Sequence, residues 1–139
     1  MRVKGAGAIL RNAGLVTDVP AGQVLTIVQG EKVRMTVNFD YRGPAQSVSL
    51  RCSIGTRVGF FQESVYGTKT ITLPDTSDWI SRTEYADINT AGLSPSWGYD
   101  VEAKISEYMS DTLVRIDNVI DVIGDPEFQH FDIVSYEKV

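Results

Sequence analysis

The residue types that could support catalysis are few in this chain of 139 residues, which has one histidine, His130, and one cysteine, Cys52. A Ser-His-Asp site would need His130, yet no serine lies in the Gly-x-Ser-x-Gly turn that exposes a nucleophile. Cys52 alternates with Leu50 and Ile54 in a pattern that directs it towards a core, where a thiol is inert. We therefore predict no catalytic residue and no enzyme activity.

Motifs for cofactors and metals are equally weak. Gly5-Ala6-Gly7 lacks the later glycine and the strand-to-helix context of a phosphate-binding loop. The carboxylates that recur near the end of the chain match no Asp-x-Asp-x-Asp-Gly calcium loop; they are Asp111, Asp117, Asp121 and Asp125. We predict no cofactor and no metal site. Calcium held between two loop ends stays an open alternative, because oxygen ligands can converge without a motif.

Aromatic residues in or near turn-rich segments provide the clearest ligand-binding signal. Trp79, Trp97 and Tyr66 could present ring faces that stack against sugars or anchor a protein interface. These three residues are therefore candidates for contact with a glycan. In the alternative, both indoles cap the open ends of the fold, because large side chains are usually well buried.

The composition limits the class of protein and the kinds of partner. A net charge of -5, with 13 scattered basic residues, argues against a nucleic-acid partner. Hydrophobic residues at 42% and charged residues at 22% are typical of one globular domain. No run approaches the ~18 apolar residues of a membrane span, and the apolar run at residues 5–10 is too short for a signal peptide. We expect no membrane partner.

Alternation of apolar and polar residues predicts strands along most of the chain. The clearest are residues 33–41, 48–54 and 99–105. Weaker candidates are residues 24–28, 68–73, 82–90 and 113–123, the last with a bulge near Asp117 and Asn118. About seven short strands with no sustained helical period are typical of an all-β sandwich or barrel.

The run Tyr99-Asp100-Val101-Glu102-Ala103-Lys104 resembles the penultimate strand of immunoglobulin-like and fibronectin-like modules, where a tyrosine hydroxyl ties a corner. Together with residues 33–41 and 47–55, it resembles the adhesion-type immunoglobulin-like domains of bacterial surface proteins and phage structural proteins. The resemblance covers residues 19–123 and implies an all-β, antiparallel immunoglobulin-like β-sandwich of about seven strands. The paired cysteines and core tryptophan of antibody domains are absent.

The two ends extend past this predicted sandwich. We divide the chain into an N-terminal arm at residues 1–18, the sandwich at 19–124, and a C-terminal extension at 125–139 that we expect to form a further strand. The apolar residues of both ends have no obvious internal site and would gain stability by burial. The candidate interface residues are Ile9, Leu10, Leu15, Phe128, Phe131 and Ile133.

These observations favour a structural role over catalysis. We expect a non-enzymatic assembly module of a phage or virus particle, either a capsid decoration or a tail protein, that is localised to the virion. Its partners would be other protein subunits in a homo-oligomer or a larger assembly. The alternative is a carbohydrate-binding or cell-adhesion module. A hydrolase has little support, because no base is arranged beside a nucleophile.

Overall fold

A computed structural model of the protein describes residues 2–12, 17–124 and 128–139, and it describes side chains from Pro20 onwards. This part of the chain is mostly β-structure and contains one short α-helix, α1 (Met109–Thr112). The described strands are β1 (Arg2–Asn12), β2 (Thr17–Pro20), β3 (Leu25–Val28), β4 (Lys32–Gly43), β5 (Gln46–Val58), β6 (Phe60–Leu73), β7 (Thr76–Asn89), β8 (Ser96–Ile105) and β9 (Val114–Ile123).

The first of two sheets has four antiparallel strands in the order β2-β1-β4-β7. Strand β4 crosses the middle of it, and its apolar residues are all buried, as their alternation predicts. Those residues are Val33, Met35, Val37, Phe39 and Tyr41. The prediction of a half-buried strand at residues 33–41 is confirmed.

The second sheet has five strands in the order β3-β9-β8-β5-β6 and curls into a half-barrel. It is mixed, because β3 runs parallel to β9 while the other neighbours are antiparallel. This corrects the expectation of a wholly antiparallel fold. The chain enters β3 from β2 of the other sheet, so no tight hairpin imposes an antiparallel direction on it.

The core lies between the inner faces of the two sheets. Cys52 is fully buried beside Leu50 and Ile54, which confirms the predicted orientation of this strand. The connection from β6 to β7 crosses between the sheets, and Gly67 lies against the β7 backbone. A Cβ atom at Gly67 would overlap the carbonyl oxygen of Asp87, so the close approach of the two strands requires glycine here.

Two local features predicted for the last strands are present. The Tyr99 hydroxyl donates a hydrogen bond of 2.7 Å to the carbonyl oxygen of Ser94, which ties the loop to the start of β8. Strand β9 bulges where expected, because Tyr99 pairs with Ile120 whereas Val101 pairs with Ile116. Asn118 has a positive φ of 55° within this bulge.

Both ends of the chain differ from the expectation. Residues 2–12, expected as an arm, form β1, which pairs with β2 and β4 inside the first sheet. Ile9 and Leu10 belong to this strand, but their side chains are not described, and Leu15 lies outside the described residues. Residues 128–139, expected to form a strand, have no strand or helix and are exposed. An extended segment becomes a strand only by pairing with a sheet edge, and this segment pairs with none of the described strands.

Candidate functional site

A groove of about 530 Å³ lies on the outer face of the five-stranded sheet, opposite the core. We call it the outer groove. Its charged floor consists of Arg51, Glu63, Glu102, Lys104 and Arg115. Its apolar rim consists of Phe60, Phe61, Met109 and Leu113. The volume is within the range of about 300–1,000 Å³ that is usual for ligand sites in proteins.

The strand register assembles the floor from four neighbouring strands. Arg51 of β5 is opposite Lys104 of β8, and Glu102 of β8 is opposite Arg115 of β9. Because side chains alternate along a strand, Arg51 points away from the buried Leu50 and Cys52. The polar half of each strand pattern therefore becomes one continuous charged surface.

One end of the floor is a bidentate ion pair between Arg51 and Glu63. The Nε–Oε1 distance is 2.9 Å and the Nη2–Oε2 distance is 2.6 Å. The Ser53 hydroxyl donates a further hydrogen bond to Glu63. Hydrogen bonding from Arg51 lowers the pKa of Glu63 and, in return, raises the pKa of Arg51. The Arg51 guanidinium also lies 3.7 Å from the ring centre of Tyr66, so that its orientation is fixed from two sides.

The other end of the floor is centred on the buried residue Glu102. Its carboxylate accepts a hydrogen bond of 3.1 Å from Arg115 Nη2 and lies 3.6 Å from Lys104 Nζ. Arg115 also lies 5.5 Å from the ring centre of Phe61. Its Nε is buried and has no hydrogen-bond partner within the described residues. This end of the floor thus has two cations around one carboxylate.

The rim is formed by two connections whose apolar side chains are uncovered. Phe60 follows the β5–β6 turn at Gly59, which has a φ of 80°, and its side chain is 67% exposed. Met109 and Leu113 are 48% and 47% exposed and lie in the helical turn between β8 and β9. Thr112 anchors that turn, because its hydroxyl oxygen accepts the Ile105 N–H at 2.8 Å.

The arrangement is suited to binding and contains no catalytic constellation among its lining residues. All five charged side chains of the floor are in ion pairs, and neither His130 nor Cys52 lies in the groove. Cys52 is 0% exposed, and burial raises the pKa of its thiol to about 12, whereas His130 is exposed in the C-terminal segment. The structure therefore does not bring Cys52 and His130 together as a nucleophile and a base.

The three candidate ligand-facing aromatics are not brought together either. Trp79 is half-buried at the start of β7, with the Arg42 guanidinium 4.6 Å from its ring centre. Trp97 is 74% exposed at the start of β8, at the opposite end of the two-sheet fold, and lines an open pocket of about 380 Å³. Tyr66 lies mid-strand beneath Arg51. Only Trp97 presents an uncovered indole.

Two carboxylates near β9 bind backbone groups, whereas Asp117 forms an ion pair with Arg57. Asp100 Oδ1 accepts the Asn118 N–H at 2.9 Å, and Asp121 Oδ1 accepts the Gly98 N–H at 2.8 Å. Across residues 2–12, 17–124 and 128–139 there is no group of three or more His, Cys, Asp or Glu residues that could hold a metal ion. Asp125 lies outside the described residues. No helix in the described part is long and apolar enough to cross a membrane.

The C-terminal segment, residues 128–139, is the second unusual surface. Three of its predicted interface residues are almost fully uncovered: Phe128 is 85% exposed, Phe131 is 95% and Ile133 is 78%. Val134 and Tyr136 are exposed as well. The sequence identified this segment through its apolar content, but it did not identify the outer groove. The signal for the groove was the charge on the polar faces of β5 and β8, which becomes readable only when the cross-strand register is known.

Comparison with known proteins does not narrow the function. No protein-family model matches the chain, and no curated protein sequence matches it.

Proposed function

We propose that this protein is a non-enzymatic structural module that assembles with other protein subunits through its C-terminal segment. The observation that carries the proposal is the exposure of Phe128, Phe131 and Ile133, at 85%, 95% and 78%, next to a folded core that is already closed. Soluble proteins rarely leave several large apolar side chains together in water unless a partner covers them. Burying Phe131 and Ile133 at an interface would contribute about 1.5–3 kcal/mol each.

An immunoglobulin-like topology is part of the same proposal. The chain changes sheet between β4 and β5, and again on either side of β7, as a Greek-key sandwich does. The hydrogen bond from Tyr99 to Ser94 supports it further, because a tyrosine corner is typical of that family of sandwiches. The proposed setting is a phage or virus particle, in which the module would be a capsid decoration or a tail component. This setting depends on the sequence resemblance alone.

A carbohydrate-binding or cell-adhesion module is the second candidate, and the observation that favours it is Trp97. An indole that is 74% exposed beside an open pocket can stack on a sugar ring. The other two candidate aromatics lie elsewhere, so Trp97 would have to act with the neighbouring Pro95 and Ser96. Binding to a glycan array that is lost in Trp97→Ala would support this candidate.

Sedimentation velocity over a wide range of protein concentrations tests the assembly proposal. We expect the wild-type chain to associate as its concentration rises. A variant carrying Phe131→Ser and Ile133→Ser should remain monomeric at the same concentrations, and its melting temperature should be unchanged because both side chains are exposed. A matched control is Val24→Ser, which removes an apolar side chain that is 52% exposed outside the segment. Equal association of wild type and the double variant would refute the proposal.

A further inference from the structure

We propose that the outer groove is the docking site for the C-terminal segment of a second copy of this chain. The inference rests on the proposed function and deepens it, because it names the surface that covers the segment. The same chain carries two uncovered apolar surfaces, the groove rim at Phe60, Met109 and Leu113 and the segment at Phe131 and Ile133. Contact between the two surfaces would remove the apolar side chains of both from water.

The lining and volume of the groove can accommodate part of an extended peptide. The apolar rim lies at the β5–β6 hairpin and at the helical turn before β9. The charged floor is formed by residues of four strands. In an extended segment, side chains two residues apart point to the same side, so Phe131 and Ile133 can enter the groove together while Asp132 points away. The volume of about 530 Å³ is sufficient for a few side chains, not for all of residues 128–139.

The charges of the two surfaces are complementary. The floor has three cations, Arg51, Lys104 and Arg115, against the carboxylates of Glu63 and Glu102, which leaves an excess of one positive charge. The segment at residues 128–139 has two carboxylates against one lysine, which leaves an excess of one negative charge with histidine neutral. Because Asp132 faces away from the floor, this attraction acts between the groove and the segment as a whole. In a protein with a net charge of -5, the local positive excess makes the groove a better site for the segment than most of the remaining surface.

The direction of β9 favours a second copy over the chain's own segment. Strand β9 passes the groove at Arg115 and ends at Ile123. The bulge takes up two of the eight residues between them, so the strand ends about 20 Å further along at about 3.3 Å per residue. To reach its own groove, the segment would have to reverse direction and run back along the sheet. A segment from a neighbour needs no reversal. Exchange of segments between two copies gives a closed dimer, and one-way docking gives an open chain of subunits.

Charged substitution at the rim, combined with a mixing experiment, tests this inference on the full-length chain. Leu113→Asp should weaken self-association at least about tenfold in sedimentation velocity. Its matched control, Val24→Asp, introduces the same charge at an exposed apolar residue away from the groove and should associate like wild type. The Leu113→Asp chain keeps its segment, and the chain carrying Phe131→Ser and Ile133→Ser keeps its groove. Mixing the two should restore heterodimers that neither forms alone.

The outcomes separate this inference from the proposed function. If Leu113→Asp associates like wild type while the segment variant does not, the segment docks elsewhere, and only the groove assignment is wrong. If the segment variant associates like wild type, the proposed function fails and the groove assignment fails with it. Failure of the mixture to form heterodimers would also overturn the inference.

A labelled peptide of residues 128–139 distinguishes the remaining occupants. It should bind the segment variant, whose groove is vacant, and should not bind that variant when it also carries Leu113→Asp. If the peptide binds the segment variant but the wild-type protein stays monomeric at every concentration, each chain covers its own groove. Binding of a simple sugar that Leu113→Asp abolishes, without peptide binding, would assign the groove to a glycan.

Discussion

Removal of the Tyr99 hydroxyl tests the corner that joins the Ser94 loop to β8. The Tyr99 side chain is 7% exposed, and its hydroxyl donates one hydrogen bond of 2.7 Å to the Ser94 carbonyl oxygen. A typical hydrogen bond of this kind contributes about 0.5–1.5 kcal/mol. Ser94 itself is exposed, so water can hydrate its carbonyl after the substitution, and the larger penalty for a buried unpaired acceptor should not apply. We therefore expect Tyr99→Phe to destabilise the fold by about 1 kcal/mol.

The assay is thermal unfolding at low protein concentration, where assembly does not contribute to stability. For a domain of this size, a loss of about 1 kcal/mol should lower the melting temperature by about 3–5 °C. Tyr136→Phe is the matched control, because Tyr136 is 93% exposed and its hydroxyl should contribute nothing to folding. Equal melting temperatures for Tyr99→Phe and wild type would show that the corner does not hold the loop, and would remove one support of the proposed immunoglobulin-like topology.

Three further predictions concern the core and the groove floor. Gly67→Ala should lower the free energy of unfolding by about 1–3 kcal/mol or more, because the added methyl overlaps the β7 backbone. Gly92→Ala is the control, because its methyl meets only a movable side chain and should change the stability little. Similar urea midpoints for the two variants would contradict this. Cys52 should react with a thiol reagent far more slowly in the native than in the unfolded protein at neutral pH, and rapid native labelling would show that the strand register is wrong. Glu63→Gln should reduce the stability at pH 7, and its difference in stability from wild type should shrink as the pH falls below about 4.3. The reason is that the pKa of Glu63 is lowered in the fold, so this carboxylate stabilises the fold only while it is ionised. A stability difference that is independent of pH would contradict the ion pair.

The inner strands were predictable because each presents an unbroken period of two. Residues 33–41 and 48–54 alternate without a slip, and a buried face imposes that register strongly. The bulge at Asn118 was also predictable, because the alternation fails there. Such patterns report which side of a strand is buried, and they do so before any neighbour is known.

Pairing between strands was not predictable from these patterns. The glycine-rich start has no clear period, yet Lys4 and Gly7 pair with β4 on either side of an irregularity at residues 5–6, because a ladder of backbone hydrogen bonds does not require alternating side chains. The parallel direction of β3 depends on the path between the sheets, and alternation carries no information about direction. Strand β7 begins at Thr76, within the turn-rich residues 74–78, and Thr76 pairs with Gly43 of β4, so pairing there outweighs local preference.

The candidate site was likewise predictable from the sequence only in part. The apolar content of residues 128–139 predicted an interface segment, and a strand there as well, but a strand also needs a partner edge, which the sequence does not provide. The outer groove was missed because its floor depends on the cross-strand pairs Arg51–Lys104 and Glu102–Arg115. In the sequence these charges resemble an ordinary solvated strand face.

The most direct test of the central claim is hydrogen exchange of residues 128–139 at two protein concentrations. If the segment is an assembly element, its amides should exchange at unprotected rates in dilute protein and should become protected when the protein is concentrated. The core strand β5 should be protected at both concentrations and serves as the internal reference. Unprotected exchange of residues 128–139 at both concentrations, with β5 protected throughout, would contradict assembly through this segment.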